Sequence, residues 1–155
     1  MIPELIATIR AQFALDWYGI HGIQHWERVR DNGLRLARVT GANVIVVELF
    51  AYLHDSRRLD DWEDPGHGAR AAAYLQTLRG RYFEISDEEL ELLVHACRHH
   101  SDGLMDGDVT VLTCWDADRL DLGRVGIRPE PRYLCTPAAH DPDTLAWSCR
   151  RSLGR

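Results

Sequence analysis

Apolar residues recur three and four apart through almost the whole chain, and that spacing constrains the fold more than any other feature of the sequence. Leu5, Ile6, Ile9, Phe13 and Trp17 fall on one stripe, which predicts a helix over residues 3 to about 18. Gly19 and Gly22 break it; a second helix is expected from about 23 to 39, ended by Gly41. A third should cover about 43–59 and a fourth 67–78, separated by the loop 60–66, which is dense in turn formers and carboxylates. Ser86, with Glu89 three residues on, is a capping box that opens a fifth helix to about residue 100. A loop over 101–108 precedes a sixth helix at 110–122, and the Pro-rich tail after Gly123 has room for a short helix at 143–151. Alternating β-branched segments are too few to build a sheet, and there are no internal repeats. The expectation is an all-α, single-domain bundle of about six helices spanning residues 1–155, with an irregular tail over 128–155.

A length of 155 residues suits one domain with a proper core. The formal net charge of −6 argues against a partner held through a nucleic-acid backbone. All 18 basic residues are Arg, which reads as genome composition. No apolar run approaches about 18 residues, and no basic region precedes an apolar one at the N-terminus. A cytoplasmic protein with no membrane partner is expected. Cys97, Cys114, Cys135 and Cys149 are widely separated and fit neither a zinc knuckle nor a disulfide framework, so they read as buried or incidental thiols.

The feature that points to chemistry is His54-Asp55, which ends the apolar run 44–53. A buried carboxylate is costly unless it is paired or binds a metal. The dipeptide alone carries little, because His140-Asp141 shows the same pair in a polar, Pro-flanked stretch. Context carries the signal. His21 and His25 lie four apart, and Asp116, Asp118 and Asp121 cluster on another expected helix. An imidazole from one helix, His54-Asp55 from a second and a carboxylate from a third would make a four-ligand site in the bundle core. Such nitrogen and oxygen ligands suit one ion of Mn²⁺, Fe²⁺, Co²⁺, Ni²⁺ or Zn²⁺, with positions left for water and substrate.

The series His25-Trp26-Glu27-Arg28-Val29, then Leu53-His54-Asp55, then Asp116-Ala117-Asp118-Arg119-Leu120-Asp121 resembles the HD-domain superfamily of metal-dependent phosphohydrolases, most closely its small stand-alone nucleotide-hydrolysing members. The resemblance covers about residues 21–127. It implies a helical bundle with His25, His54, Asp55 and Asp118 as metal ligands; Asp118 is chosen because the family's last ligand is the Asp of Ala-Asp-x-Leu. Some branches use two further histidines for a second metal, and His67 and His100 stand at comparable stages. The plainer reading of His67 is a helix cap or phosphate contact. His95 and His99 read as solvent or rim residues, and His21 either lines the pocket or merely ends a turn.

Arg28, Arg57, Arg58 and Arg119 lie within a turn of the motif residues, and guanidinium forks suit phosphate oxygens. Arg28, Arg58, Arg119 and His21 are therefore the substrate-binding candidates. One position departs from the pattern. The deoxynucleotide-cleaving branch carries an acidic residue three after the motif Asp, and this chain has Arg58 there. Proton transfer then falls to Asp116, Asp121, His67 or His100, or to the metal-bound water alone, with Asp55 at the metal. Trp17, Trp26, Trp62 and Trp115 could wall a base-binding pocket, although core packing is the simpler role. The acidic stretch 60–64 reads as a solvated loop rather than a cation site.

The expected function is hydrolysis of a nucleotide or other small phosphate ester by metal-activated water. The alternatives are a di-iron oxygenase, which needs His67 and His100 as ligands, and a non-catalytic metal- or nucleotide-binding regulatory module. Small helical domains often dimerise, so a homodimer is left open. The role of 128–139, with Pro129, Pro131, Cys135 and Pro137, is open too.

Overall fold

The apolar run that ends at His54-Asp55 forms the central helix. In the computed structural model, which describes residues 2–154, it is α3 (Val44–Leu53), with Val46, Val47 and every residue from Leu49 to Leu53 buried. A helix that is greasy on all sides must be surrounded. It is packed by α2 (Ile23–Thr40), α5 (Asp87–His99) and α6 (Val109–Arg119), while α4 (His67–Leu78) lies along α5. α1 (Ile2–Gln12) buries Leu5 and Ile9, and α7 (Pro142–Ser152) closes the chain against α2. Among the described residues there is no strand, only an isolated bridge between Arg79 and Phe83. The fold is the expected single all-α bundle, and no described helix is long and apolar enough to cross a membrane.

Local chemistry fixes most boundaries. Asn43 caps α3 by accepting from the N–H groups of Ile45 and Val46; Ser86 and Glu89 form the full capping box of α5; Gly41, at φ 76°, ends α2 in the left-handed conformation.

Three helices stop earlier than their apolar periodicity suggests. α1 ends at Gln12, and Phe13 and Trp17 extend its stripe from a turn. Their rings meet Trp26 edge-to-face at 5.3 and 5.2 Å between centroids, and each other at 5.7 Å. That turn is tight: Ile23 N–H donates to Trp17 O at 2.9 Å, and a Cβ on Gly22 would lie 2.0 Å from the same oxygen. α3 ends at Leu53, not near 59, because the backbone tightens. The Ser56 and Arg58 N–H groups bond three residues back, and Ser56 Oγ donates to Leu53 O at 2.7 Å. α6 ends at Arg119 and passes into a 3-10 turn, Leu122–Val125.

The open stretch 128–139 folds as two 3-10 turns, Pro131–Tyr133 and Pro137–His140. It is fastened to α6 by buried Asp116, which accepts from Cys135 N–H at 2.6 Å, Thr136 N–H at 2.8 Å and Thr136 Oγ1 at 2.7 Å. Leu134 and Ala139 then pack on Leu36 and Leu120 in a small satellite core.

Candidate metal centre

Four buried imidazoles converge at the C-terminal end of α3, and each is aimed in the same way. His25 Nδ1–H donates to Asp121 Oδ2 at 2.7 Å. His54 Nδ1–H is shared between Phe50 O and Ala51 O, both at 3.0 Å. His100 Nδ1–H donates to Cys97 O at 2.7 Å, and His67 Nδ1–H to Asp64 O. With Nδ1 tied outward in every ring, the Nε2 atoms all point inward. An outer partner that fixes tautomer and ring plane in this way is the usual support of a ligating histidine.

The inward atoms form overlapping groups, with Asp55 between the His25–His54 pair and the His67–His100 pair and with Asp118 grouped with His54 and His100. His25 Nε2 lies 3.2 Å from His54 Nε2, 3.4 Å from Asp55 Oδ2 and 3.2 Å from Asp118 Oδ1. His54 Nε2 lies 3.4 Å from Asp55 Oδ2 and 3.5 Å from Asp118 Oδ1. On the other side of Asp55, Oδ1 stands 3.3 Å from His100 Nε2 and 3.6 Å from His67 Nε2, and those two nitrogens are 2.9 Å apart. Ligands about 2.1 Å from a shared ion stand roughly 3.0–3.4 Å from one another, so both clusters are of a size to hold a cation. His67, whose plainer reading was a cap or phosphate contact, is instead turned inward to meet His100 at Asp55.

The electrostatics ask for positive charge. Burial disfavours the imidazolium of His54, yet Asp55 and Asp118 outweigh it and push the group up to about 10. His25 moves up as well: burial and the nearby Arg124 oppose it, but its hydrogen bonds to Asp118, Asp121 and Asp55 overcome them. Burial would raise Asp55 and Asp118, but the surrounding imidazoles hold both well below the usual carboxylate range. Two ionised carboxylates at the bottom of a buried site leave protons or a metal to balance them. His67 goes the other way: burial, with His100 beside it, lowers it to about 4, which keeps the ring neutral and able to ligate.

A cavity of about 380 Å³ opens over Asp55, His100 and Asp118. Of the substrate-binding candidates, His21, Arg58 and Arg119 line it. Arg28 does not, because its Nε donates to Asp121 Oδ1 at 2.8 Å behind the site. Arg57 donates to Gln12 Oε1 and lies over the Tyr74 ring, also away from the cavity. The two carboxylates considered for proton transfer are elsewhere as well. Asp121 is occupied by His25 and Arg28, and Asp116 holds the backbone of Cys135 and Thr136, so neither reaches the cavity wall. His100 does line it, but as an inward-facing member of the second cluster. His95 and His99 stay outside, with His99 Nδ1 donating to Asp102.

Sequence reasoning missed Arg124, Asp61 and Ser101 in the cavity wall. Arg124 donates from Nε to Ile20 O and from Nη1 to Asp121 O. It follows the last motif by three residues, the spacing that singled out Arg58, and that was the available signal. The acidic loop offers no cation site: Asp60 caps the N–H groups of Trp62 and Glu63, and Asp64 accepts from Leu59 N–H and Arg70. Comparison with protein-family models, curated proteins and solved structures returned no match for the chain.

Proposed function

We propose that this protein is a metal-dependent phosphohydrolase of the HD-domain type, acting on a small phosphate ester, with Asp55 contributing to both of two positions that would hold divalent ions. The observation that carries the reading is the common aim of His25, His54, His67 and His100, each with Nδ1–H tied to an oxygen and Nε2 turned toward the two Asp55 oxygens. The mixed imidazole and carboxylate donors fit a borderline transition ion. His25, His54, Asp55 and Asp118 would hold the first ion; His67, His100 and Asp55 would hold the second. Ions held there would supply Lewis acidity to a phosphoryl oxygen and would lower the pKa of a coordinated water.

The chain's own residues do the rest. Arg58 and Arg124 line the cavity and leave Nη2 without a partner among the described residues, so both can donate to phosphate oxygens. In the hydrolysis, the bond from phosphorus to the ester oxygen breaks, a bond from the water oxygen to phosphorus forms, and one water proton passes to the departing oxygen. Asp61 is the carboxylate on the wall outside the ligand set, and that proton transfer is assigned to it.

The test is phosphate release from a panel of nucleotides and simple phosphate esters with Mn²⁺, Co²⁺, Ni²⁺ or Mg²⁺, with Asp55→Ala as the matched control. Metal-dependent turnover that vanishes in the variant supports the reading. Turnover retained in Asp55→Ala sinks it. A second reading, a di-iron oxygenase, is favoured by one observation, the pairing of His67 with His100 at Asp55 Oδ1. It requires iron in the purified protein and dioxygen uptake; the arginine-lined cavity favours the hydrolase.

A further inference from the structure

Asp55 is braced to the loop that follows it by two struts. Arg58 Nε donates to Asp55 Oδ1 at 3.1 Å, and its Nη1 donates to Asp60 O at 2.9 Å. On the other side His21 Nδ1 lies 3.1 Å from Asp55 Oδ2, and its Nε2 lies 2.8 Å from Asp61 O. Asp60 Oδ1 then receives the N–H groups of Trp62 and Glu63, at 2.7 and 3.2 Å. The backbone on the N-terminal side of Trp62 is thus held in register with the ligand carboxylate.

What this braced loop presents is an indole left in water. Trp62 is 76% exposed. Trp26 and Trp115 are buried, Trp17 sits edge-to-face in the aromatic trio, and Trp147 lies under Arg35 and Arg151. An exposed Trp adds nothing to the core, and a surface loop has no need to hold one still. Trp62 lines both the cavity over Asp55 and Asp118 and a neighbouring one beside His67. Leu122, Val125 and Ile127 add apolar surface to the first cavity. An indole face and an aliphatic wall in one cavity suit a flat ring, while the arginines beside Asp55 suit phosphate.

We propose that Trp62 is the platform on which the substrate's planar ring stacks, and that it is the residue by which this site selects ring-bearing phosphates over simple alkyl phosphates. The proposal rests on the phosphohydrolase reading for turnover, but not for binding. Arg58 and His21 act through it as positioning residues, because they fix the loop that carries the indole.

The experiment compares wild type, Trp62→Ala and Trp62→Phe in the metal-loaded full chain. It measures calorimetric binding of the four ribonucleoside monophosphates and of glycerol 3-phosphate, together with kcat and KM for each. Trp62→Ala is expected to weaken nucleotide binding, and to lower the kcat/KM preference for nucleotides over glycerol 3-phosphate, by roughly 5- to 150-fold, the range of base stacking on an aromatic side chain. The loss should lie in KM, and Trp62→Phe should recover most of it. An unchanged preference in Trp62→Ala overturns the proposal, as does a wild type that binds no nucleotide. Trp62-dependent binding without phosphate release keeps the platform and removes the hydrolase. Phosphate release with a Trp62-independent preference does the reverse.

Discussion

His25 and Asp121 are joined by a 2.7 Å hydrogen bond from Nδ1–H to Oδ2, in a place where neither group is reached by solvent. The second oxygen of Asp121 accepts from Arg28 Nε, so the carboxylate is itself held on α2's side of the site. Outer partners of this kind are worth about 10- to 100-fold in metal affinity or activity. Asp121→Asn is expected to lose that much of both while keeping the fold, as measured by metal titration alongside thermal melting. A variant with full affinity would leave Asp121 a purely structural residue.

The two ligand clusters predict two levels of metal content. Wild type should carry about two ions per chain and His100→Ala about one, since the first cluster keeps all its ligand atoms. Elemental analysis after dialysis against the metal decides this. Equal content in both proteins would remove the second position.

Removing the metal should make stability sensitive to alkali. Although burial opposes it, Asp55 and Asp118 hold His54 up to about 10, against an ordinary value of 6.5. A raised value in the folded state adds stability that is complete below the unfolded value and disappears as pH climbs through the folded one. The melting temperature of chelator-treated protein is therefore expected to fall from about pH 6.5 to about pH 10, relative to metal-loaded protein. Parallel curves for the two forms would contradict it.

Asp116 is expected to matter for stability rather than chemistry. Its two oxygens receive three hydrogen bonds from Cys135 and Thr136 in a buried site. Asp116→Asn should destabilise the fold by about 2–4 kcal/mol in chemical denaturation, with metal content per folded chain retained. Lost turnover at unchanged stability would return Asp116 to the reaction.

Gly68 sets how closely α4 approaches α5. A Cβ there would stand 2.5 Å from Arg98 O and 2.8 Å from Cys97 O, the carbonyl that orients His100. Gly68→Ala should cost about 1–3 kcal/mol and weaken the His67–His100 position more than the His25–His54 one. Loss of both positions to the same degree would show that the helices do not act separately.

Much of this was legible in the sequence because helical spacing and caps are local signals. Ser86 with Glu89, and Gly41, announced their helix ends, and the apolar run before His54 announced a central helix. The early ends of α1 and α3 were not legible. Phe13 and Trp17 extend the helical stripe from a turn, and the Ser56 hydroxyl competes for a carbonyl within an otherwise periodic stretch. Nor could spacing separate Asp116, Asp118 and Asp121. Their roles depend on what lies opposite: Thr136 for the first, His25 and His54 for the second, and the rear of the His25 ring for the third. Arg124 and Ser101 escaped because they sit on turns, where no period marks which way a side chain faces.

The struts from Asp55 to the loop have a mechanical consequence. Each arm is a single side chain with one hydrogen bond at either end, running from a carboxylate oxygen to a loop carbonyl. A flat ring pressed against Trp62 therefore leans on the group that bridges the two ligand clusters. Under the proposed function, recognition at the mouth and chemistry at the floor would turn on one pivot, and a poorly seated guest would disturb both.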